Sequence, residues 1–164
     1  MLTQDRLKTL LRYSPETGEF YFLTPRGGRK RGCVAGTINK KRGYRYIVVD
    51  GRMYMAHRLA WFYMTGSWPA KEIDHKNRVR HDNHWSNLRE ANSNENHWNC
   101  SAHRDSAAPY KGVTWDASRG KWKAAIGAHR RFYNLGRYGT AEEARDAYLQ
   151  AAARLHGEFI PGGG

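Results

Sequence analysis

The chain changes character at residues 101–109, and this change limits how large any one folded unit can be. The segment SAHRDSAAP is small, polar and ends in proline, a composition typical of a linker. It divides 164 residues into two parts, each of which can form only a small domain. Both parts contain strand-like and helix-like runs, so we expect an α+β fold with domains at 1–100 and 110–160.

The net charge restricts the class of partner. Lys and Arg outnumber Asp and Glu by 28 to 15, a net charge of +13. Such a surplus indicates a polyanionic partner such as nucleic acid. The sequence has no apolar run of about 18 residues, so we expect no membrane span. A ribosomal-type structural role or an acidic membrane surface would need the same sign of charge.

The N-terminus and the cysteines indicate the compartment. MLTQDRLKTLLRYSP lacks the apolar region and cleavage site of a secretory signal. Cys33 and Cys100 lie far apart, which argues against a disulfide framework and a cysteine-based zinc site. We therefore expect a cytoplasmic protein that is not secreted and has no structural zinc.

Turn and cap residues locate the elements of the N-terminal part. Thr3 is placed to cap a first helix, and Gly66 to end a later one. Asp50-Gly51 lies between two apolar runs, which predicts a hairpin with a type I′ turn. The run EFYFL predicts a strand. Helices are expected at residues 3–12, 58–65 and 93–100.

The C-terminal part predicts three strands followed by one helix. YKGVTW, KWKAAI and RRFYNLGRY are short strand-like runs, and TAEEARDAYLQAAARLHG is an amphipathic helix. Thr140 and Glu143 form a capping box, and Gly157 ends the helix. Period-2 alternation directs one row of the second strand toward the helix and the other outward. The inward row is Trp122, Ala124 and Ile126, and the outward row is Lys121, Lys123 and Ala125.

A basic segment precedes the Asp50-Gly51 hairpin. Residues 26–45 contain eight Lys or Arg, five Gly and no acid. A flexible basic loop of this kind can lie along phosphates. On charge alone, a solvated loop is an equal alternative.

Residues 73–89, IDHKNRVRHDNHWSNLR, concentrate side chains that need polar partners. They admit three interpretations. The first is a solvated loop in which Asn and Asp cap turns, as expected for Asp82-Asn83. The second is a zinc site, although cysteine and HExxH spacing are both lacking. Its ligands would come from His75, His81, His84 and His97.

The third interpretation is hydrolysis of a phosphodiester. This reaction needs a base to activate water and a hard cation to neutralise charge. Magnesium takes oxygen ligands from one or two protein groups and keeps several waters. Asp74 with an amide oxygen from a nearby helix would suffice. His75 would point to the opposite side of its strand and could flank a phosphate only if the hairpin bends.

The order Asp74-His75, then Asn87-Leu88-Arg89, then Asn96 resembles the motif of HNH endonucleases of the phage and homing type. The resemblance implies a ββα-metal (His-Me finger) fold. It also implies that His75 is the general base and that Asp74 and Asn96 hold one divalent ion, Mg²⁺ or alternatively Mn²⁺. Asn87 would orient His75 or brace the loop, and would support the metal site without binding the ion itself.

His57, in AHRLAW, admits two interpretations. It is an active-site or DNA neighbour, or a hydrogen-bonded structural histidine at a strand–helix junction. His81, His84, His97 and His103 are expected at the surface or facing DNA. Basic residues expected to contact DNA in this part are Arg29, Lys30, Arg31, Lys40, Lys41, Arg42, Arg78, Arg80 and Arg89.

Residues 110–159 resemble the AP2 DNA-binding domain, on YKGV, GKWKAAI, LG and TAEEARDAY. The resemblance implies that the outer sheet face enters the major groove of duplex DNA. Thr114, Phe132 and Asn134 stand where plant members carry Arg and Trp, so the base preference of those members does not transfer. DNA-contacting residues expected here are Lys111, Thr114, Lys121, Lys123, Arg130, Arg131 and Asn134, and Phe132 is expected to face outward.

These observations predict a metal-dependent DNA endonuclease with an AP2 domain that binds double-stranded DNA. The alternative is a non-catalytic DNA-binding or regulatory phage protein that retains the HNH fold. A packaging nuclease would share the chemistry, but such enzymes more often carry cysteine-rich zinc knuckles. We expect a monomer in the cytoplasm of a phage-infected bacterial host.

Overall fold

The computed structural model describes residues 1–25, 27–99, 109–157 and 159. They form two compact units, Met1–Asn92 and Ser93–Gly164. The expected linker at 101–109 lies outside the described residues, apart from its last position. By contacts, the helix that begins at Ser93 belongs to the second unit.

The described residues of the first unit form two α-helices, a short 3-10 helix at Trp85–Asn87 and seven short strands. The bounds are α1 Gln4–Leu10, β1 Leu11–Ser14, β2 Glu19–Phe22, β3 Thr37–Ile38, β4 Arg45–Val49, β5 Arg52–Met55, α2 Ala56–Thr65, β6 Glu72–His75 and β7 Leu88–Ala91. The strands pair as the β1–β2 hairpin, the β3–β4–β5 sheet and the β6–β7 ribbon, all antiparallel.

The local signals in this unit act as predicted. The Thr3 side chain accepts a hydrogen bond from the Arg6 amide and caps α1. Asp50 and Gly51 both have positive φ, +46° and +77°, as a type I′ turn requires between β4 and β5. Gly66 ends α2 in the left-handed conformation at φ +77°.

The core of the first unit joins α1 and α2 to strands β1, β2 and β4. The largest fully buried side chains are those of Phe20, Leu7, Leu11, Ile47 and Leu59. The core continues to Ile73 and Leu88 in the β6–β7 ribbon. The ribbon is therefore anchored on its apolar side by the same core that holds α2.

The second unit contains α3 Ser93–Trp98, β8 Val113–Asp116, β9 Lys121–Ala128, β10 Arg131–Tyr138 and α4 Ala141–His156. Its sheet is antiparallel, in the order β10–β9–β8, and α4 packs on one face. The three-strand sheet followed by a helix confirms the fold predicted for this half.

Capping and alternation in the second unit also act as predicted. Thr140 and Glu143 form both hydrogen bonds of a capping box. Ala124 and Ile126 are buried toward α4, whereas Lys121 is exposed. Trp122 is only partly buried, beside Val113 and Ala144. Among the described residues, no helix is long and apolar enough to cross a membrane.

Candidate functional site

Asp74 and Arg89 face each other across the β6–β7 ribbon. Their Cα atoms are register partners, and the Arg89 Nε and Nη2 atoms donate to Asp74 Oδ2 at 2.9 and 2.8 Å. Both residues are buried, with Arg89 only 7% exposed. Sequence analysis expected Arg89 at DNA phosphates. The structure instead places its charge against a buried carboxylate, because the antiparallel register brings the two side chains together.

His75 lies at the end of β6, and its ring is held by Asn83. The Nε2 atom of His75 is 3.1 Å from Asn83 Oδ1. The Asn83 Nδ2 atom donates to the His81 carbonyl at 3.1 Å, which fixes the orientation of the amide. Because Oδ1 can only accept, His75 Nε2 carries the proton and Nδ1 has the lone pair.

Burial also sets the protonation state of His75. The residue is 4% exposed, and this desolvation lowers the pKa of its imidazole, although the Asn83 hydrogen bond opposes the shift. A lowered pKa keeps the ring neutral near pH 7. A neutral imidazole with a defined tautomer is the form that a general base requires.

His57, at the start of α2, contacts the His75 ring. The two ring centroids are 5.1 Å apart in an edge-on arrangement, and the Tyr44 ring is 5.2 Å from His57. Within the described part of the chain, the buried Nδ1 atom of His57 has no hydrogen-bond partner. Desolvation, followed by the His75 and Arg58 charges, lowers the pKa of His57 to about 3. His57 thus lies both at the junction of β5 and α2 and beside the candidate base.

Asn87 holds the loop between β6 and β7. Its Oδ1 atom accepts from the Asn77 amide at 3.0 Å. Its Nδ2 atom donates to Asn77 Oδ1 at 3.0 Å and to the Asp82 carbonyl at 2.7 Å. The contact with the His75 ring is made by Asn83, and the bracing role of Asn87 stays a prediction.

Asn83 is held in turn by the N-terminal hairpin. The Tyr13 hydroxyl donates to the Asn83 carbonyl at 2.6 Å, and the Trp85 amide donates to the Pro15 carbonyl at 2.9 Å. Gly18, at φ +69°, lies so close that a Cβ atom there would be 2.3 Å from the Asn83 carbonyl carbon.

Sequence reasoning missed Asn83, Tyr13 and Gly18 as parts of the site, since it assigned Asp82-Asn83 to turn capping. Only the polar density of the loop marked the segment, and it did not distinguish one asparagine from another. His84 forms a hydrogen bond with Asp82 in this loop. The side chains of His97 and His103 lie outside the described residues.

Arg80 connects the loop to the basic segment before β4. Its guanidinium lies 5.2 Å from the centroid of the Tyr44 ring and donates to the Arg42 carbonyl at 3.1 Å. The Tyr44 ring is also 6.1 Å from that of His75, so the segment ending at Arg42 lies beside the candidate base. The remaining basic residues predicted to contact DNA in this unit are exposed, namely Arg29, Lys30, Arg31, Lys40, Lys41 and Arg78.

Asn96 lies in α3 of the second unit and is partly exposed. The Asp74 carboxylate and an asparagine amide each offer hard oxygen donors, the type that Mg²⁺ prefers. Within residues 1–25, 27–99 and 109–157, no three His, Cys, Asp or Glu side chains cluster so as to hold a metal. A magnesium site does not require such a cluster, because water completes its coordination. The donor chemistry therefore fits this ion.

The second unit presents polar and basic side chains around its sheet. Lys111 differs from the others because its Nζ atom donates to the Trp98 carbonyl at 3.0 Å, which links the segment just before β8 to the end of α3. Lys123 is half-buried in the middle strand. The other predicted DNA-contacting residues of this unit are exposed, namely Thr114, Lys121, Arg130, Arg131 and Asn134, as is Phe132, which was expected to face outward.

Comparison with protein families matches both units. Residues 54–98 match the HNH endonuclease family, and the match runs from β5 through α3. Residues 109–158 match the AP2 domain family and cover the β8–β10 sheet with α4. Comparison with curated proteins and with solved structures gave no match. The chain thus has the architecture of an HNH endonuclease domain followed by a C-terminal AP2 domain.

Proposed function

We propose that this protein is a metal-dependent endonuclease that hydrolyses phosphodiester bonds in double-stranded DNA. One observation carries the proposal. The imidazole of His75 has a pKa that burial lowers, contacts Asn83 Oδ1 through Nε2 at 3.1 Å, and follows Asp74 directly in a segment that matches the HNH endonuclease family. Neutral imidazole and a neighbouring carboxylate are the groups that metal-assisted hydrolysis needs.

In the proposed reaction, His75 Nδ1 takes the proton of the attacking water. Asn83 holds the ring through Nε2, so the same nitrogen faces the water in every turnover. The His57 ring packs edge-on against the His75 ring, and burial in this environment lowers the pKa of His75. Asn87 keeps the loop that carries Asn83 closed.

Asp74 and Asn96 would hold one divalent cation, Mg²⁺ or Mn²⁺, through a carboxylate and an amide oxygen. When bound, the ion would neutralise the scissile phosphate and stabilise the leaving oxygen. Arg89 would then have to share Asp74 or release it, since its guanidinium occupies Oδ2.

The AP2 domain would supply affinity for duplex DNA and position the cut. The net charge of +13 and the exposed basic residues in both units support a polyanionic partner. An HNH domain before an AP2 domain also supports a homing-type enzyme that acts at a preferred site.

A second candidate is a DNA-binding protein that has lost catalysis. The Arg89–Asp74 ion pair and the 4% exposure of His75 favour it, because both hold potential reactants inside the fold. The two candidates differ in chemistry and share the partner, so a binding assay does not separate them.

Digestion of a supercoiled plasmid separates them. We expect wild-type protein to convert the plasmid to nicked or linear form with Mg²⁺ or Mn²⁺, and to leave it intact in EDTA. Run-off sequencing of the products then gives the strand and the sequence preference. A protein that shifts the plasmid in a gel and leaves it uncut with either ion would support the non-catalytic candidate.

A further inference from the structure

Phe132 is a large apolar side chain that the fold of the second unit does not use. It is 78% exposed, whereas its neighbours Tyr133 and Leu135 pack against the core below α4. Its partner across the sheet is Gly127, and a Cβ atom built there would lie 3.7 Å from the Phe132 ring. The ring therefore lies beside a bare stretch of backbone and projects from the outer face.

Asn134 is the next outward residue on the same strand. Its Oδ1 atom accepts from the Gly136 amide at 3.2 Å, at the bulge in β10. The amide nitrogen is thus the group that Asn134 offers to a ligand as a donor. Its cross-strand partner is Ala125, so Asn134, like Phe132 beside Gly127, has only a small residue next to it on the sheet.

The rim of this face carries positive charge. Lys121 and Arg131 are exposed, at the start of β9 and of β10. Asp116, the acid of strand β8, forms an ion pair with Arg137 at 2.8 Å. The centre of this face thus offers an apolar ring and an amide donor with only small residues beside them, and its border carries positive charge. Such a surface suits the edge of a base, with the border contacting the flanking phosphates.

We propose that Phe132 and Asn134 together read thymine in the major groove. Thymine presents a C5-methyl group beside the O4 acceptor, which match an apolar ring and an amide donor. Cytosine presents an N4 donor and no methyl group, so it would set donor against donor at Asn134. The inference rests on the proposed binding of duplex DNA by this domain.

Deoxyuridine tests the methyl contact, because it keeps O4 and lacks only the methyl group. The full chain, in EDTA, is first used to select duplexes from a randomised library. The enriched duplex is then made with deoxyuridine at each thymine in turn. We expect about fourfold weaker binding at the contacted position, the effect of one buried methyl group.

Variants assign the effect to the ring. Phe132→Ala should bind the thymine duplex about as weakly as wild type binds the deoxyuridine duplex, and should not distinguish the two. Trp115→Ala is the matched control, because Trp115 is 52% exposed but lies in the row that contacts Trp122. It should retain the difference between thymine and deoxyuridine.

Every other outcome counts against the inference or against the proposed DNA partner. The inference is wrong if wild type binds both duplexes equally at every position, if Phe132→Ala still distinguishes them, or if no enriched sequence contains thymine. If wild type binds no duplex at all, the proposed DNA partner itself fails.

Discussion

Arg89 places its guanidinium against one oxygen of Asp74, and both side chains are buried in the β6–β7 ribbon. A buried carboxylate needs a compensating charge, and Arg89 provides it in the metal-free protein. The proposed cation would provide it in the active complex. The same carboxylate thus has two alternative positive partners, and their competition is measurable without any assay of cleavage.

Removing Arg89 should make the competition between Arg89 and the cation for Asp74 measurable. We expect Arg89→Met to destabilise the protein by about 3 to 5 kcal/mol in urea unfolding without metal, because the buried Asp74 carboxylate loses the guanidinium that compensates its charge. Added Mg²⁺ or Mn²⁺ should then stabilise the variant more than it stabilises wild type.

Arg52→Met is the matched control, since Arg52 is exposed on β5. We expect a change within about 0.5 kcal/mol, as for surface substitutions in general. An Arg89→Met variant as stable as the control, or one whose unfolding ignores both cations, would refute the competition for Asp74.

Asn83→Asp tests whether this residue sets the state of His75. The substitution places a negative charge 3.1 Å from Nε2, where wild type has a neutral oxygen. A nearby carboxylate favours imidazolium, so the pKa of His75 should rise and the acid limb of the pH–rate profile should move to higher pH. The profile of plasmid cleavage by wild type and variant measures the shift.

In wild type the pKa of His75 shifts in the opposite direction. Burial lowers the pKa of His75, so the acid limb should lie below the ordinary histidine value of 6.5. If Asn83→Asp changes the maximal rate but leaves the limb in place, Asn83 supports the loop without setting the charge of the base.

Local signals in the sequence predicted the elements, and long-range contacts decided the site. Asp50-Gly51, Gly66 and the Thr140 capping box act within a few residues, so their effects can be read directly from the chain. Asn83 is held beside His75 in part by Tyr13, and no spacing rule predicts the contact between Tyr13 and Asn83, which are 70 positions apart.

The burial of Arg89 was not predictable for a related reason. A surface basic residue and an ion-paired one look alike in sequence, and only the register of β6 against β7 separates them. Asn87 was recognised by its motif and contacts Asn77 and Asp82, and its bracing role stays a prediction.

His57 should make the free energy of unfolding depend on pH in the acid range. Its pKa falls from 6.5 to about 3 in the folded protein, so below pH 6.5 the unfolded chain binds a proton that the folded chain does not. The free energy of unfolding should therefore decrease as pH falls from 6.5 toward 3, by up to about 1.4 kcal/mol per unit from this residue.

Two groups that face His57, His75 and Arg58, also disfavour its protonation, and the Tyr44 ring covers it. The lowered pKa of His75 adds a slope of the same sign. Urea unfolding at several pH values should show a shallower acid slope for His57→Gln than for wild type. Equal slopes would show that His57 titrates normally.

Salt should weaken DNA binding steeply, since the basic residues act at phosphates. Replacing one phosphate-contacting residue should reduce the slope of log affinity against log salt by about 1. Lys121→Ala and Arg131→Ala are suitable, because both side chains are exposed at the rim of the sheet. Fluorescence anisotropy with one duplex at several salt concentrations measures the slope, and an unchanged slope would remove that residue from the interface.

The most direct test of the central claim is the initial rate of plasmid cleavage by His75→Ala in Mg²⁺. His81→Ala is the matched control, because His81 is exposed in the same loop and its carbonyl remains available to Asn83. We predict that His75→Ala binds DNA as wild type does and cleaves at least about 100-fold more slowly, while His81→Ala cleaves normally. Cleavage by His75→Ala at the wild-type rate would contradict the assignment of the base.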